Sequence, residues 1–309
     1  MNTSPRRNTP ARPPVFLIGA ARSGTSLLYK SLCLHPDTAW ISNWVRQFPG
    51  LPALSALNRL AATLPAARHA VWFGGGGNAY VYGSPRRLAE RLFPMPVEGE
   101  PFFARWGAPT PALEVRPPSA GEIQALRKAV AAVTGRHRDR VFVSKRIGHN
   151  WRIASLAACF PEARFVEIVR DGRAVAYSLS RVDWWDDSEL VWHDGTPRQC
   201  HEQGMDAWDL CAQNWVAELE AITRGFNAVA PERHLRIAYE DFVASPLETL
   251  ETVAGFAGLA PDAKWQGELG LLRFPDRNEN WRARLEPALV HRIEDIQARH
   301  LEANGYALR

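Results

Sequence analysis

Cysteine is scarce in this chain and never falls into a motif. The four cysteines, Cys33, Cys159, Cys200 and Cys211, are scattered and form no C-x-x-C. That excludes a zinc ribbon or a disulfide framework and suits a reducing, cytoplasmic compartment. No apolar run approaches the roughly 18 residues that would cross a bilayer. The opening MNTSPRRNTPARPP lacks the apolar middle of a signal peptide, and residues 1–14 are expected to form a disordered tail. There is no long Lys/Arg block. The formal charge of +4 is spread along the chain, so a basic enzyme with an anionic ligand fits better than a nucleic-acid binder. No metal-ligand cluster is apparent either, and no metal is expected. With no internal repeat and no clear linker, residues 15–309 are expected to form a single domain.

What is present is a 46% hydrophobic, 23% charged composition, ordinary for a globular enzyme. Short apolar runs, VFLIG, RVFVSK, RFVEIVR and HLRIAYE, alternate with amphipathic segments such as GEIQALRKAVAAV and CAQNWVAELEAITRGFNAVA. This alternation predicts an α/β fold, a parallel sheet flanked by helices. From Gly50 to about Pro118 the texture changes, with GGGG at Gly74–Gly77 and PMPVEGEP at Pro94–Pro101. That stretch reads as a large insertion, a natural place for an acceptor site.

The stretch FLIGAARSGTSLLYKSL, Phe16 to Leu32, runs from a buried strand through a glycine loop into a helix. It has the outline of a phosphate-binding P-loop, G-x-x-x-x-G-K-[ST], but Thr25 stands where lysine belongs and the cation comes earlier, at Arg22. Such a loop aims free backbone N–H groups and the positive end of a helix dipole at an anion. Without the lysine, triphosphate chemistry loses its main cation; a single 5′-phosphate does not need it there. Further on, RFVEIVRDGRAVAYSLSR puts Arg170 at the carboxyl end of a strand and Ser178 two helical turns beyond, where open α/β sheets bind ligands.

The two motifs together resemble those of the sulfotransferases that use 3′-phosphoadenosine 5′-phosphosulfate (PAPS). In that family a [KR]-S-G-T-[ST] loop grips the 5′-phosphosulfate, and V-R-[DN]-x-R followed by a Ser grips the 3′-phosphate. Here these are Arg22-Ser23-Gly24-Thr25-Ser26 and Val169-Arg170-Asp171-Gly172-Arg173 with Ser178. The resemblance covers most of the chain, through SKRIGHNWRIASLAACFPEARF, IAYEDFVASPLETLETVAGFAGL and NENWRARLEPALVHRIE. It implies a P-loop-like sheet with the insertion on the acceptor side. It also implies transfer of a sulfuryl group to a hydroxyl, with adenosine 3′,5′-bisphosphate released. The implied roles are Arg22 at the leaving-group oxygen, the loop amides, Ser23, Gly24, Thr25 and Ser26 at the 5′-phosphate, Arg170 and Ser178 at the 3′-phosphate, Lys145 stabilising charge, and Tyr239 lining the nucleotide pocket.

The general base departs from the pattern. Several related enzymes carry a Glu about 20 residues after the loop cation, where HPDTAWISNWVRQ has Ser42 and Asn43, and a neutral Asn cannot accept the proton. Glu98, Glu100 and His149 are the candidates instead. Trp184, Trp185 and Trp192, beside Asp183, Asp186 and Asp187, are placed to stack on a sugar or aryl acceptor, so the acceptor is expected to be a small molecule or glycan. Two other readings stay open: a P-loop kinase-like nucleotide enzyme, and a non-catalytic PAPS-binding module.

Overall fold

The computed structural model describes residues 12–74, 91–135 and 140–309. Its centre is a five-stranded sheet in the order β2-β3-β1-β4-β5, with every pairing parallel. The strands are β1 Val15–Ile18, β2 Thr38–Trp40, β3 Val141–Lys145, β4 Arg164–Val169 and β5 His234–Ala238. Helices cover both faces of a parallel sheet, so its central strands are apolar throughout rather than alternating. All four residues of β1 are at most 1% exposed.

After β1 the chain crosses past β3 to build β2, then returns through β3 and crosses β1 again to reach β4. The carboxyl ends of β1, β3 and β4 therefore lie side by side where the strand order reverses, and a crevice forms there. Leu17 is in register with Lys145, and Ile18 with Glu167.

Helix α1, Thr25–Cys33, follows β1 directly. The 20-residue helix Ala207–Phe226 starts at Asp206, whose side chain accepts from the Trp208 and Asp209 amides. It packs on the helices Gly172–Leu179 and Pro287–Ala303. Trp215, on its inner face, is fully buried.

Three local expectations change. Thr38–Trp40 is a strand that three residues are too few to announce. Tyr239 opens the helix Tyr239–Ala244 rather than ending β5. The chain is also tied down before Val15, because the Pro14 carbonyl accepts the Arg164 N–H at 2.9 Å, while residues 1–11 lie outside the described residues.

The segment between β2 and β3 holds short helices at Arg59–Thr63, Pro65–Phe73 and Glu100–Arg105 before the longer Ala120–Thr134. Most of its GGGG run lies outside the described residues. Its return path is fixed against the end of β2: Val97 N–H donates to Ile41 O at 3.0 Å and Asn43 N–H to Met95 O at 3.2 Å. The Asn43 amide also donates to Arg91 O at 2.9 Å and accepts from Met95 N–H at 3.1 Å. Gly99 passes so close that a Cβ there would lie 2.5 Å from Ile41 Cδ1. This crossing delivers Glu98 to the edge of the crevice.

Among the described residues, all four cysteines are free and buried, and no helix is long and apolar enough to cross a membrane.

Candidate active site

A cavity of about 970 Å³ opens at the carboxyl ends of β1, β3 and β4. Its floor is the loop from Gly19 to Gly24. Arg22 has φ 68° there, the one non-glycine residue at positive φ among the described residues. That conformation costs roughly 1–3 kcal/mol and persists only where neighbours enforce it. Arg170 is one such neighbour: its Nη1 donates to the Arg22 carbonyl at 2.9 Å. Ser178 is another, accepting from Arg22 Nε at 3.0 Å. Gly24 has φ 90°, and a Cβ there would come within 2.7 Å of the Tyr239 ring, so the turn needs glycine on both counts. The Thr25 and Ser26 amides, at the start of α1, precede the first intrahelical bonds, and both residues border the cavity.

Arg170 is a clamp as well as a cation. Besides the Arg22 carbonyl it holds Asn278 Oδ1 through Nε at 3.1 Å and the Arg277 carbonyl through Nη2 at 2.8 Å, and its guanidinium lies 4.2 Å from the Tyr239 ring centre. Burial, then the positive charges of Arg170 and Arg277, push the Arg22 pKa below its ordinary value. Two guanidinium groups thus crowd Arg22 at one wall of the cavity, an arrangement that a multiply charged anion would relieve. Ser23 does not share this wall. It is 1% exposed and its Oγ has no hydrogen-bond partner.

Lys145, at the end of β3, is 4% exposed and forms an ion pair with Glu98. Arg146 Nη1 holds the other Glu98 oxygen at 2.6 Å. Burial pushes the Glu98 carboxyl up, but Lys145 and Arg146 outweigh it and hold the pKa below the usual carboxylate range. Lys145, Glu98 and Arg146 all border the cavity.

Glu100 and His149 do not. The Glu100 carboxylate takes two hydrogen bonds from the fully buried Arg152, at 3.0 and 2.7 Å, and one from Arg146 at 3.3 Å. The His149 ring is fully buried between Phe16 and Phe103. Its Nδ1 accepts from Arg152 Nε at 3.3 Å and its Nε2 lies 3.1 Å from Ser144 Oγ. Burial, then the neighbouring cations, keep its pKa well below the ordinary histidine value. Of the three candidate bases, Glu98 alone faces the cavity.

Several residues in and behind this wall are not singled out by any sequence motif. Glu218, on the helix Ala207–Phe226, accepts the Ala21 N–H at 2.6 Å, with Asn214 Nδ2 3.4 Å from its other oxygen. Burial pushes its carboxyl up to about 7 despite these bonds. Asn150 brackets the Gly19 peptide, accepting its N–H at 3.1 Å and donating to its carbonyl at 3.0 Å. Lys30, in α1, donates to the Trp72 carbonyl at 3.0 Å, and burial brings its pKa down to about 7. Arg277 and Arg284 reach the cavity from the segment before the last helix. The helical spacing of Asn214 and Glu218, four apart, was the one available clue.

The sequence signature of the Sulfotransferase family matches residues 99–263, just over half of the chain. The chain is 24% identical over 281 residues to the omega-hydroxy-beta-dihydromenaquinone-9 sulfotransferase Stf3 of Mycobacterium bovis and of Mycobacterium tuberculosis. That alignment takes in 81% of this chain but only 63% of the relatives' length. Among solved structures, the sulfotransferase STF9 from Mycobacterium avium superposes with a TM-score of 0.57 at 17% identity, over 97% of this chain and 78% of that one. The sulfotransferase domain from the curacin biosynthetic pathway gives 0.56 at 14% identity, over 97% of this chain and all of that domain. These superpositions carry the fold. With the signature laid across the Lys145 strand, the Arg170 turn and the Tyr239 helix, this chain belongs to the sulfotransferase family.

Proposed function

We propose that the protein transfers a sulfuryl group from PAPS to the hydroxyl of a small-molecule acceptor. One observation carries this reading: a single cavity bordered by Arg22, Arg170 and Arg277, by the helix start at Thr25 and Ser26, and by the Lys145–Glu98 pair. The arginines and the helix start suit a ligand bearing two separate phosphates. The Lys–Glu pair suits a reaction in which an oxygen loses a proton while a phosphate gains charge. The Mycobacterium relatives are named for a hydroxylated quinone, which supports a hydroxyl as the acceptor.

In this reading the amides at the start of α1, with Thr25 and Ser26, hold the 5′-phosphate, while Arg170, Ser178 and Arg277 hold the 3′-phosphate. Arg22 and Lys145 stabilise the negative charge that develops on the leaving phosphate as the sulfur–oxygen bond breaks. The acceptor oxygen bonds to sulfur, and its proton passes to the Glu98 carboxylate. Lys145 turning toward the leaving phosphate would weaken its hold on Glu98 and raise that carboxylate's basicity when it is needed. A cytoplasmic setting fits the four free cysteines.

Calorimetric titration with adenosine 3′,5′-bisphosphate, against ADP with Mg²⁺, tests the donor assignment. The expected result is a clear preference for the bisphosphate. In Arg170→Ala the affinity should fall by about 10- to 100-fold, the loss of one or two charge-assisted hydrogen bonds. Equal binding of ADP, unaffected by the substitution, would move the kinase-like reading to the front.

A further inference from the structure

Arg170 draws together two parts of the chain 107 residues apart, its own turn and residues 277–281, by donating to Asn278 Oδ1 and to the Arg277 carbonyl. The segment that follows the last helix, residues 304–309, contacts both parts without bordering the cavity. Its direction is fixed where it leaves the helix: Gly305 has φ 80°, and Tyr306 N–H returns to the Leu301 carbonyl at 2.9 Å. The Tyr306 hydroxyl donates to Glu240 Oε2 at 3.0 Å, and the other Glu240 oxygen accepts the Asp171 N–H, next to Arg170, at 3.2 Å. The Ala307 carbonyl accepts from Arg173 Nη1 at 3.0 Å. Arg309 N–H donates to Glu294 Oε2 at 3.3 Å. The Arg309 guanidinium lies 4.9 Å from the ring centre of Trp281, and that of Arg173 lies 4.7 Å from it. Trp281 is fully buried and closes the short turn Asn278–Trp281, which presents Asn278 to Arg170.

We infer that residues 304–309 form a strap that sets the Arg170 guanidinium in place, with Tyr306 and Glu240 as positioning residues for the 3′-phosphate end of the donor site. The Nε of Arg170 and one N–H on each Nη are already taken by protein acceptors. Only the remaining N–H of each Nη is left for an anion, and such a fork grips a phosphate well only when its plane is fixed. That plane depends on where the backbone after Arg170 and the Asn278 turn are held. Glu240 ties the first to Tyr306, and Arg309 ties the second through Trp281. The inference rests on the sulfotransferase reading for the identity of the phosphate.

The test is calorimetric titration with adenosine 3′,5′-bisphosphate and with adenosine 5′-monophosphate, which lacks the phosphate in question. It is run on the wild type, Tyr306→Phe, Glu240→Ala and the double variant. Tyr306→Phe keeps the ring and removes only the hydroxyl, so the fold should stand, as a urea midpoint checks. Its bisphosphate affinity should fall about three- to tenfold, the scale of one net hydrogen bond, while its monophosphate affinity stays unchanged. The double variant should bind the bisphosphate no more weakly than Glu240→Ala, since both substitutions act along one path. Glu240→Gln, whose amide can still accept the Asp171 N–H and donate to the Tyr306 hydroxyl, should restore most of the loss. Unchanged bisphosphate affinity in Tyr306→Phe and Glu240→Ala, or equal losses for both nucleotides, would overturn the inference and leave the segment a structural tie alone. A wild type that binds the two nucleotides equally would sink the donor assignment itself, and the strap's role at a 3′-phosphate would fall with it.

Discussion

At the scale of single residues, proton affinity separates the acids of the site. Glu98 is held below the usual carboxylate range by Lys145 and Arg146, which outweigh its burial, so it is ionised across the neutral range and ready to accept a proton. Glu98→Gln is expected to lower kcat by about 10²- to 10⁴-fold with bisphosphate binding unchanged. In the wild type, the acid limb of the kcat/KM profile, which reports the free enzyme, should fall at a pH below that of an ordinary glutamate. A full rate in Glu98→Gln would remove the base assignment.

Glu218 behaves in the opposite sense. Its folded-state pKa of about 7 lies above the ordinary value, because burial disfavours its charge. Its contribution to stability is therefore fully present below about pH 4.5 and is lost as the pH rises through 7, a change of roughly 3 kcal/mol. Glu218→Gln keeps an acceptor for the Ala21 N–H and has nothing to titrate. Denaturant midpoints should show the wild type losing stability relative to this variant between pH 5 and 8. A constant difference over that range would mean that Glu218 is already ionised.

At the scale of elements, the glycine turn after β1 is held by Arg170, Ser178 and Tyr239. Gly24 gives the backbone its φ of 90° and lets Tyr239 pack against it. Gly24→Ala would strain the turn and push the ring away, and bisphosphate affinity should fall by at least about tenfold while the sheet stays folded. The next strand–helix turn is secured by Arg173, which is 3% exposed and pairs with Asp171 at 2.8 Å and with Glu294 of the last helix at 2.5 Å. Arg173→Ala leaves both acids buried without their cation, and unfolding by urea should show a loss of about 3–5 kcal/mol. A loss under 1 kcal/mol would show that the last helix does not depend on this pair.

At the scale of the whole molecule, cations from four distant parts of the chain surround one cavity: Arg22, Lys145, Arg170 and Arg277. The same cavity is also bordered by Trp151, Trp184, Trp185 and Trp192. Bisphosphate affinity should weaken steadily as salt is raised from about 0.05 to 0.5 M, because the screening length for exposed charge shortens from about 14 Å to about 4 Å over that range.

The sequence by itself determined the parts that are local. A strand, a glycine turn and a helix start lie within a dozen residues around Gly19 and Gly24, so backbone preference and apolar run length made the strand–turn–helix legible. The same holds for Arg170 with Ser178, and for the alternation that announces a parallel sheet. Only the tertiary structure decided what lies across long separations. Lys145 meets Glu98 across 47 residues, Arg170 meets Arg277 across 107, and Ala21 meets Glu218 across 197. Glu98, Glu100 and His149 were equal candidates in the chain because each is a titratable side chain near a motif. Their difference is one of direction: the crossing at Gly99 turns Glu98 into the cavity, while Glu100 is taken up by buried Arg152 and His149 is enclosed between two phenylalanines. Which way a side chain points depends on what the sheet has packed behind it, and no local pattern encodes that.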